Sequence, residues 1–259
     1  MLRFSANISV LFREVPLLER FAAAREAGFG AVEIQVPYEA TPEALARASS
    51  ACGLPIVLIN APLGPEPGSP GMACRPEHRA LFRRELQRAA EYAHALGTPC
   101  VNVLAGRAAA EEHAVCLQQL QEHLCLAAEL LAPAGARAVL EPLNPFDAPS
   151  YCVPSFDLAA EILERCAGRV ALQFDVYHAA RLGLDPEALF KRLLPRIAHV
   201  QFADFPGRHE PGTGELSFEQ IFHTIEASGY GGWVGAEYHP SASTRQSLRW
   251  LDASAHRQG

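Results

Sequence analysis

No stretch of the 259-residue chain reaches the ~18 consecutive apolar residues that a membrane helix needs, and the opening segment 1–12 is interrupted by Arg3, Ser5, Asn7 and Ser9. A cytoplasmic protein with no membrane partner is the expectation. The chain also lacks any Cys-x-x-Cys pair. Its seven cysteines are odd in number and scattered, which points to neither a disulfide framework nor a thiolate zinc site. Positive charge is the scarcer sign, 22 Lys+Arg against 29 Asp+Glu for a net charge of −7. That balance argues against a nucleic-acid partner, whose phosphates demand a basic surface. Internal repeats, low-complexity tracts and convincing linkers are missing as well, so nothing divides the chain.

What is present is an ordinary globular composition, 49% hydrophobic and 20% charged. Short apolar runs alternate with segments of helical periodicity from end to end. The pattern predicts eight strands near 4–9, 31–35, 56–60, 100–104, 138–141, 170–175, 198–203 and 233–237. Helices are predicted near 16–27, 42–52, 78–96, 112–132, 156–166, 186–194, 218–228 and 243–251. Thr41-Pro42 and Asp185-Pro186 read as capped helix starts, Ser217 to Gln220 as a capping box, and Gly28, Gly97 and Gly229 as helix stops.

Eight β-then-α units suggest an α/β fold of the TIM (β/α)8 barrel type, a single domain over residues 1–259. The rival is a doubly wound open sheet. It would normally carry a glycine-rich phosphate turn after its first strand, and Asn7-Ile8-Ser9-Val10-Leu11 has no glycine. Residues 62–76, rich in proline and glycine, form a loop after the third strand and a candidate active-site cover.

In a barrel of this kind the strand C-termini share one mouth, where Glu141, Asp175, Gln201 and Glu237 stand out at the ends of strands five to eight. Each carboxylate alone reads equally as a strand-end salt bridge or cap. Several converging carboxylates require compensating positive charge. Three carboxylates and an amide oxygen make a hard donor set that suits Mg2+ or Mn2+, with coordination positions left for substrate oxygens. His178, three residues beyond Asp175, is placed to polarise a substrate oxygen, while His199 reads equally as a core histidine. Arg208, after the seventh strand, is the candidate grip for a carboxylate.

Several runs together resemble the hydroxypyruvate isomerase family of the xylose isomerase-like barrels. They are Arg3-Phe4-Ser5-Ala6-Asn7-Ile8-Ser9, Ala31-Val32-Glu33, Glu141-Pro142-Leu143-Asn144, Asp175-Val176-Tyr177-His178, His199-Val200-Gln201-Phe202-Ala203-Asp204, Glu210-Pro211-Gly212-Thr213-Gly214-Glu215 and Gly232-Trp233-Val234-Gly235-Ala236-Glu237-Tyr238. The resemblance implies a metal held by Glu141, Asp175, Gln201 and Glu237, with Glu141 and Glu237 also the acid/base pair. It implies interconversion of hydroxypyruvate and tartronate semialdehyde through an enediolate, or, in a similar branch, of 2-oxo-tetronate and 3-oxo-tetronate; Glu14-Val15-Pro16 and Arg208-His209-Glu210-Pro211 look like features of both branches. A keto-sugar epimerase on the same scaffold, an abasic-site nuclease and a noncatalytic sugar-acid binder are the alternatives. The expected partner is a small hydroxy or oxo acid contacted by His178, Arg208, His239 and Asn60, with a homo-oligomer left open. His239 departs from the lysine common in the family and would make the positive charge conditional on pH.

Overall fold

Runs of Val, Ile, Leu and Ala too short for helices become eight parallel strands in the computed structural model of the chain, which describes residues 1–66 and 68–251. They are β1 (Arg3–Asn7), β2 (Ala31–Ile34), β3 (Ile56–Asn60), β4 (Cys100–Asn102), β5 (Arg137–Leu140), β6 (Ala171–Asp175), β7 (Ile197–Phe202) and β8 (Trp233–Ala236). Neighbours pair in sequence order, and β8 returns to β1 to close the barrel. The TIM barrel expected from the sequence is the fold observed, and closure leaves no strand edge unpaired. No helix among the described residues is long and apolar enough to cross a membrane.

The outer layer comprises α1 (Arg20–Glu26), α2 (Pro42–Cys52), α3 (Arg79–Leu96), α4 (His113–Leu131), α5 (Phe156–Arg165), α6 (Val176–Arg181), α7 (Pro186–Leu193) and α8 (Phe218–Ala227). Thr41 and Asp185 cap α2 and α7 through their side chains as expected. The capping box does not form, because Ser217 makes no side-chain cap hydrogen bond. Gly28, Gly97 and Gly229 all adopt positive φ. The helix expected at 243–251 is a 3-10 turn at Arg245–Leu248 followed by helical residues up to the end of the described chain.

Inside the barrel, an apolar wedge of Leu58, Cys100, Val139 and Ala171 fills the side formed by β3 to β6. Buried polar groups fill the opposite side: Ser5, Glu33, Gln173, His199 and Gln201. His199, left open between core and catalysis, belongs to this interior layer, its Nε2 2.9 Å from Glu33 Oε1.

Part of the candidate cover loop is stitched down. Ala73 and Cys74 donate their N–H groups to the carbonyls of Leu104 and Ala105, and His123 Nδ1 lies 2.7 Å from the Ala73 carbonyl. Gly71 and Gly106 cross back to back, both at positive φ, and a Cβ on Gly71 would stand 2.2 Å from the Leu104 carbonyl oxygen. Gly71→Ala should therefore destabilise the fold well beyond the ~1–2 kcal/mol expected for left-handed alanine alone. Gly53 is the control, also at positive φ but with no atom within 4 Å of the place a Cβ would take. Urea midpoints for the two variants check this, and equal losses would reject it.

Candidate active site

The barrel delivers carboxyl groups to its C-terminal mouth because their positions directly follow buried strand residues. Glu141 follows Leu140 at the end of β5, Asp175 ends β6, and Glu237 follows Ala236 at the end of β8. All three are nearly inaccessible. Asp175 does double duty: one oxygen, Oδ1, accepts the Tyr177 N–H at 2.8 Å and caps α6. Its other oxygen, Oδ2, is buried with no hydrogen-bond partner among the described residues.

Amide donors missed by the sequence reading hold the glutamates. Asn7 Nδ2 donates to Glu237 Oε2 and Gln35 Nε2 to Glu237 Oε1, both at 3.0 Å. Asn102 Nδ2 donates to Glu141 Oε2 at 2.8 Å. Asn102 lay inside the predicted fourth strand, where a reading confined to the ends of strands five to eight could not find it. β4 ends at Asn102, two residues before the predicted end, which brings this side chain level with Glu141.

Arg208 reaches the same cluster, with Nη2 3.1 Å from Glu237 Oε1 and 3.8 Å from Asp175 Oδ2, and its guanidinium 5.0 Å above the Tyr177 ring. Its loop is wound around Asp204, whose two oxygens accept the N–H groups of Phe205, Gly212, Thr213, Gly214 and Leu216. Asp204 was not singled out from the sequence.

Burial pushes the Glu141 carboxyl well above the ordinary range, and the charges of Glu237 and Asp175 push it further. Burial likewise raises Glu237 to about 8 even though Arg208 opposes the shift. Burial lowers His178 to about 4, so its ring is neutral at physiological pH.

The tautomer of that ring can be argued from its neighbours. The backbone N–H of Asn144 points at His178 Nδ1 at 3.2 Å, and Asn144 Nδ2 lies 2.8 Å away. Asn144 Oδ1 accepts the N–H groups of Phe146 and Asp147, which fixes the amide orientation. A backbone N–H only donates, so Nδ1 carries the lone pair and Nε2 the proton. Among the described residues, Glu141, Asp175 and His178 are the one group of three potential metal-ligating side chains found within 4.8 Å of one another. A protonated Nε2 has no lone pair for a cation, so His178 enters this cluster as a hydrogen-bond donor. Its Nε2 is buried without a partner.

Gln201 lies beside Asp175 in the strand register. Its Nε2 donates to Glu33 Oε2 at 2.7 Å and its Oε1 accepts from Gln173 Nε2. Asn60 is buried, with its backbone carbonyl taken by the Tyr38 hydroxyl and its side-chain amide without a hydrogen-bond partner among the described residues. His239 sits exposed on the rim. Its backbone N–H donates to the Arg208 carbonyl at 2.9 Å, and its carbonyl lies 2.6 Å from His209 Nδ1. Desolvation, followed by the charge of Arg208, holds its pKa below the ordinary histidine value. Both influences act against the protonated form foreseen at His239, and its observed contacts are through the backbone.

The donor set fits a hard divalent ion. Arg208 stands against the Asp175 and Glu237 carboxyl groups, Glu141 clusters with Asp175, and the Asp175 Oδ2 lone pairs are unsatisfied.

The chain is similar to known proteins along its length. The description "Xylose isomerase-like TIM barrel" matches residues 21–254. A 2-oxo-tetronate isomerase of Cupriavidus necator is 38% identical over 254 residues, which cover 97% of this chain and 98% of that protein. A hydroxypyruvate isomerase of Escherichia coli K12 is 37% identical over 260 residues, covering 97% and 99%. A solved structure described as an AP endonuclease, family 2, from Brucella melitensis has a TM-score of 0.93 at 37% identity, covering 98% of this chain and 99% of that one. With its fold and its relatives in agreement, the chain belongs to the xylose isomerase-like TIM barrel family, among the isomerases that include hydroxypyruvate isomerase and 2-oxo-tetronate isomerase.

Proposed function

We infer that this isomerase moves a carbonyl along a small 2-oxo-hydroxy acid, converting hydroxypyruvate to tartronate semialdehyde or 2-oxo-tetronate to its 3-oxo isomer, through an enediolate. The observation that carries this reading is the cluster of Glu141, Asp175 and His178 at the barrel mouth, joined to Glu237 through Arg208, in which the Asp175 Oδ2 and the His178 Nε2 are buried without partners.

Glu141, Asp175, Glu237 and Gln201 would hold the cation, Mg2+ or Mn2+ by the hardness of their oxygens. When bound, the cation supplies Lewis-acid stabilisation of negative charge on adjacent substrate oxygens. One glutamate of the Glu141/Glu237 pair takes the proton from the hydroxyl-bearing carbon, the hydroxyl proton passes to the former carbonyl oxygen, and the other glutamate, protonated, returns a proton to the neighbouring carbon. Burial favours the protonated form of each carboxyl, which suits the half of the exchange that returns a proton. The His178 Nε2–H donates to a substrate oxygen, the Asn60 amide offers a further contact, and Arg208 grips the substrate carboxylate.

The nuclease description of one structural relative suits this chain poorly. Its net charge is −7, and the one compact group of potential ligands among the described residues contains a single histidine.

The test is to strip the protein of metal, add hydroxypyruvate or 2-oxo-tetronate in D2O, restore Mg2+ or Mn2+, and follow the products by NMR. Cation-dependent conversion of one substrate, with deuterium entering the product, is expected. No conversion of either would reject the proposed reaction, and inversion at a carbinol carbon without carbonyl migration would replace it with epimerisation.

A further inference from the structure

Glu33 is fully buried in the barrel interior, and nothing in the reaction above uses it. From β2 its carboxyl group reaches across the neighbouring strands to β7. Ser5 Oγ of β1 donates to Oε1 at 2.5 Å, His199 Nε2 of β7 lies 2.9 Å from the same oxygen, and Gln201 Nε2 donates to Oε2 at 2.7 Å. The path runs over Gly235 of β8, where a Cβ would stand only 1.9 Å from Glu33 Oε1. Glycine at 235 is thus explained by the close approach of Glu33 rather than by a positive φ.

The consequence falls on Gln201. An amide whose nitrogen is held by a carboxyl oxygen must turn its own oxygen away from that group, since the flipped orientation would oppose two acceptors. Gln173 Nε2 engages one lone pair of Gln201 Oε1, leaving a second. In the strand register Gln201 lies between Asp175 and Gly235, level with the acidic mouth.

We propose that Glu33 is a positioning residue that locks the Gln201 amide with its oxygen available to the divalent cation, and that Gly235 is required to let it do so. This rests on the reading of Gln201 as a cation ligand. Outer partners of this kind typically contribute ~10–100-fold to metal affinity.

The experiment is a double-mutant cycle on the full chain, read as Mn2+ affinity of metal-free protein by electron paramagnetic resonance and as Mg2+ affinity by calorimetry. The variants are Glu33→Leu, Gln201→Leu and the pair, with Gly235→Ala as an independent way to displace the Glu33 carboxyl. Circular dichroism restricts the comparison to folded proteins. Glu33→Leu and Gly235→Ala should each weaken Mn2+ binding ~10–100-fold, and Glu33→Leu should cost nothing further once Gln201→Leu is present. Equal losses in both backgrounds would show Glu33 acting independently of Gln201 and overturn the inference. So would unchanged affinity in Glu33→Leu, or in Gly235→Ala if Glu33→Leu fails to fold. Wild-type protein that binds neither cation would instead remove the metal reading and this inference with it, and unchanged affinity in Gln201→Leu alone would remove the ligand role of Gln201.

Discussion

Replacing Glu237 or Glu141 by glutamine is expected to lower kcat by at least ~10²-fold and up to ~10⁴-fold, the range for loss of a positioned acid or base. Glutamine preserves the size of the side chain but cannot take and return the migrating proton. At Glu237 the loss is compounded because Asn7, Gln35 and Arg208 all present donors to its carboxyl oxygens. An amide there would set its own NH2 against one of those donors. Glu141→Gln meets the same difficulty at Asn102. Steady-state turnover of the converted acid, together with deuterium uptake from solvent, measures both variants. Near-wild-type turnover in either would refute that residue's assignment.

Removing divalent metal is expected to abolish turnover and to lower the melting midpoint together. A ligand present at about 100 times its Kd stabilises by roughly 2.7 kcal/mol, which for a chain of this size corresponds to a fall of about 5–10 °C on removal. The physical source is electrostatic: without a dication, Glu141, Asp175 and Glu237 crowd one buried region with Arg208 as the nearby guanidinium. Chelation followed by Mg2+ or Mn2+ should restore both readouts. Turnover and melting midpoint that are both indifferent to chelation would exclude a resident cation.

The barrel was legible because its signal is repeated: eight short apolar runs, each bounded by helical periodicity, leave few ways to bury every strand. Glu141, Asp175 and Glu237 were legible for a related reason, since a carboxylate directly after a buried strand is costly unless it has a task. The short helix α6 was not, because it begins immediately after β6 with no intervening turn and takes Asp175 itself as its cap. The role of Asn144 was also hidden. Its effect is to choose the tautomer of a histidine 34 positions later, a relation created by folding and invisible in spacing. At His239 the residue type suggested a charge, whereas the rim desolvates the ring and sets it near Arg208.

The winding of residues 204–216 around a single buried carboxyl has a consequence for binding. Five main-chain N–H groups converge on Asp204, and the Arg208 N–H is itself taken by the Asp204 carbonyl. The arm that presents the guanidinium is therefore preorganised, so little of an incoming anion's binding free energy is consumed in ordering it. Side chains along the outer edge of that arm can vary between relatives and leave the reach of Arg208 unchanged, so long as the aspartate at its hub is kept.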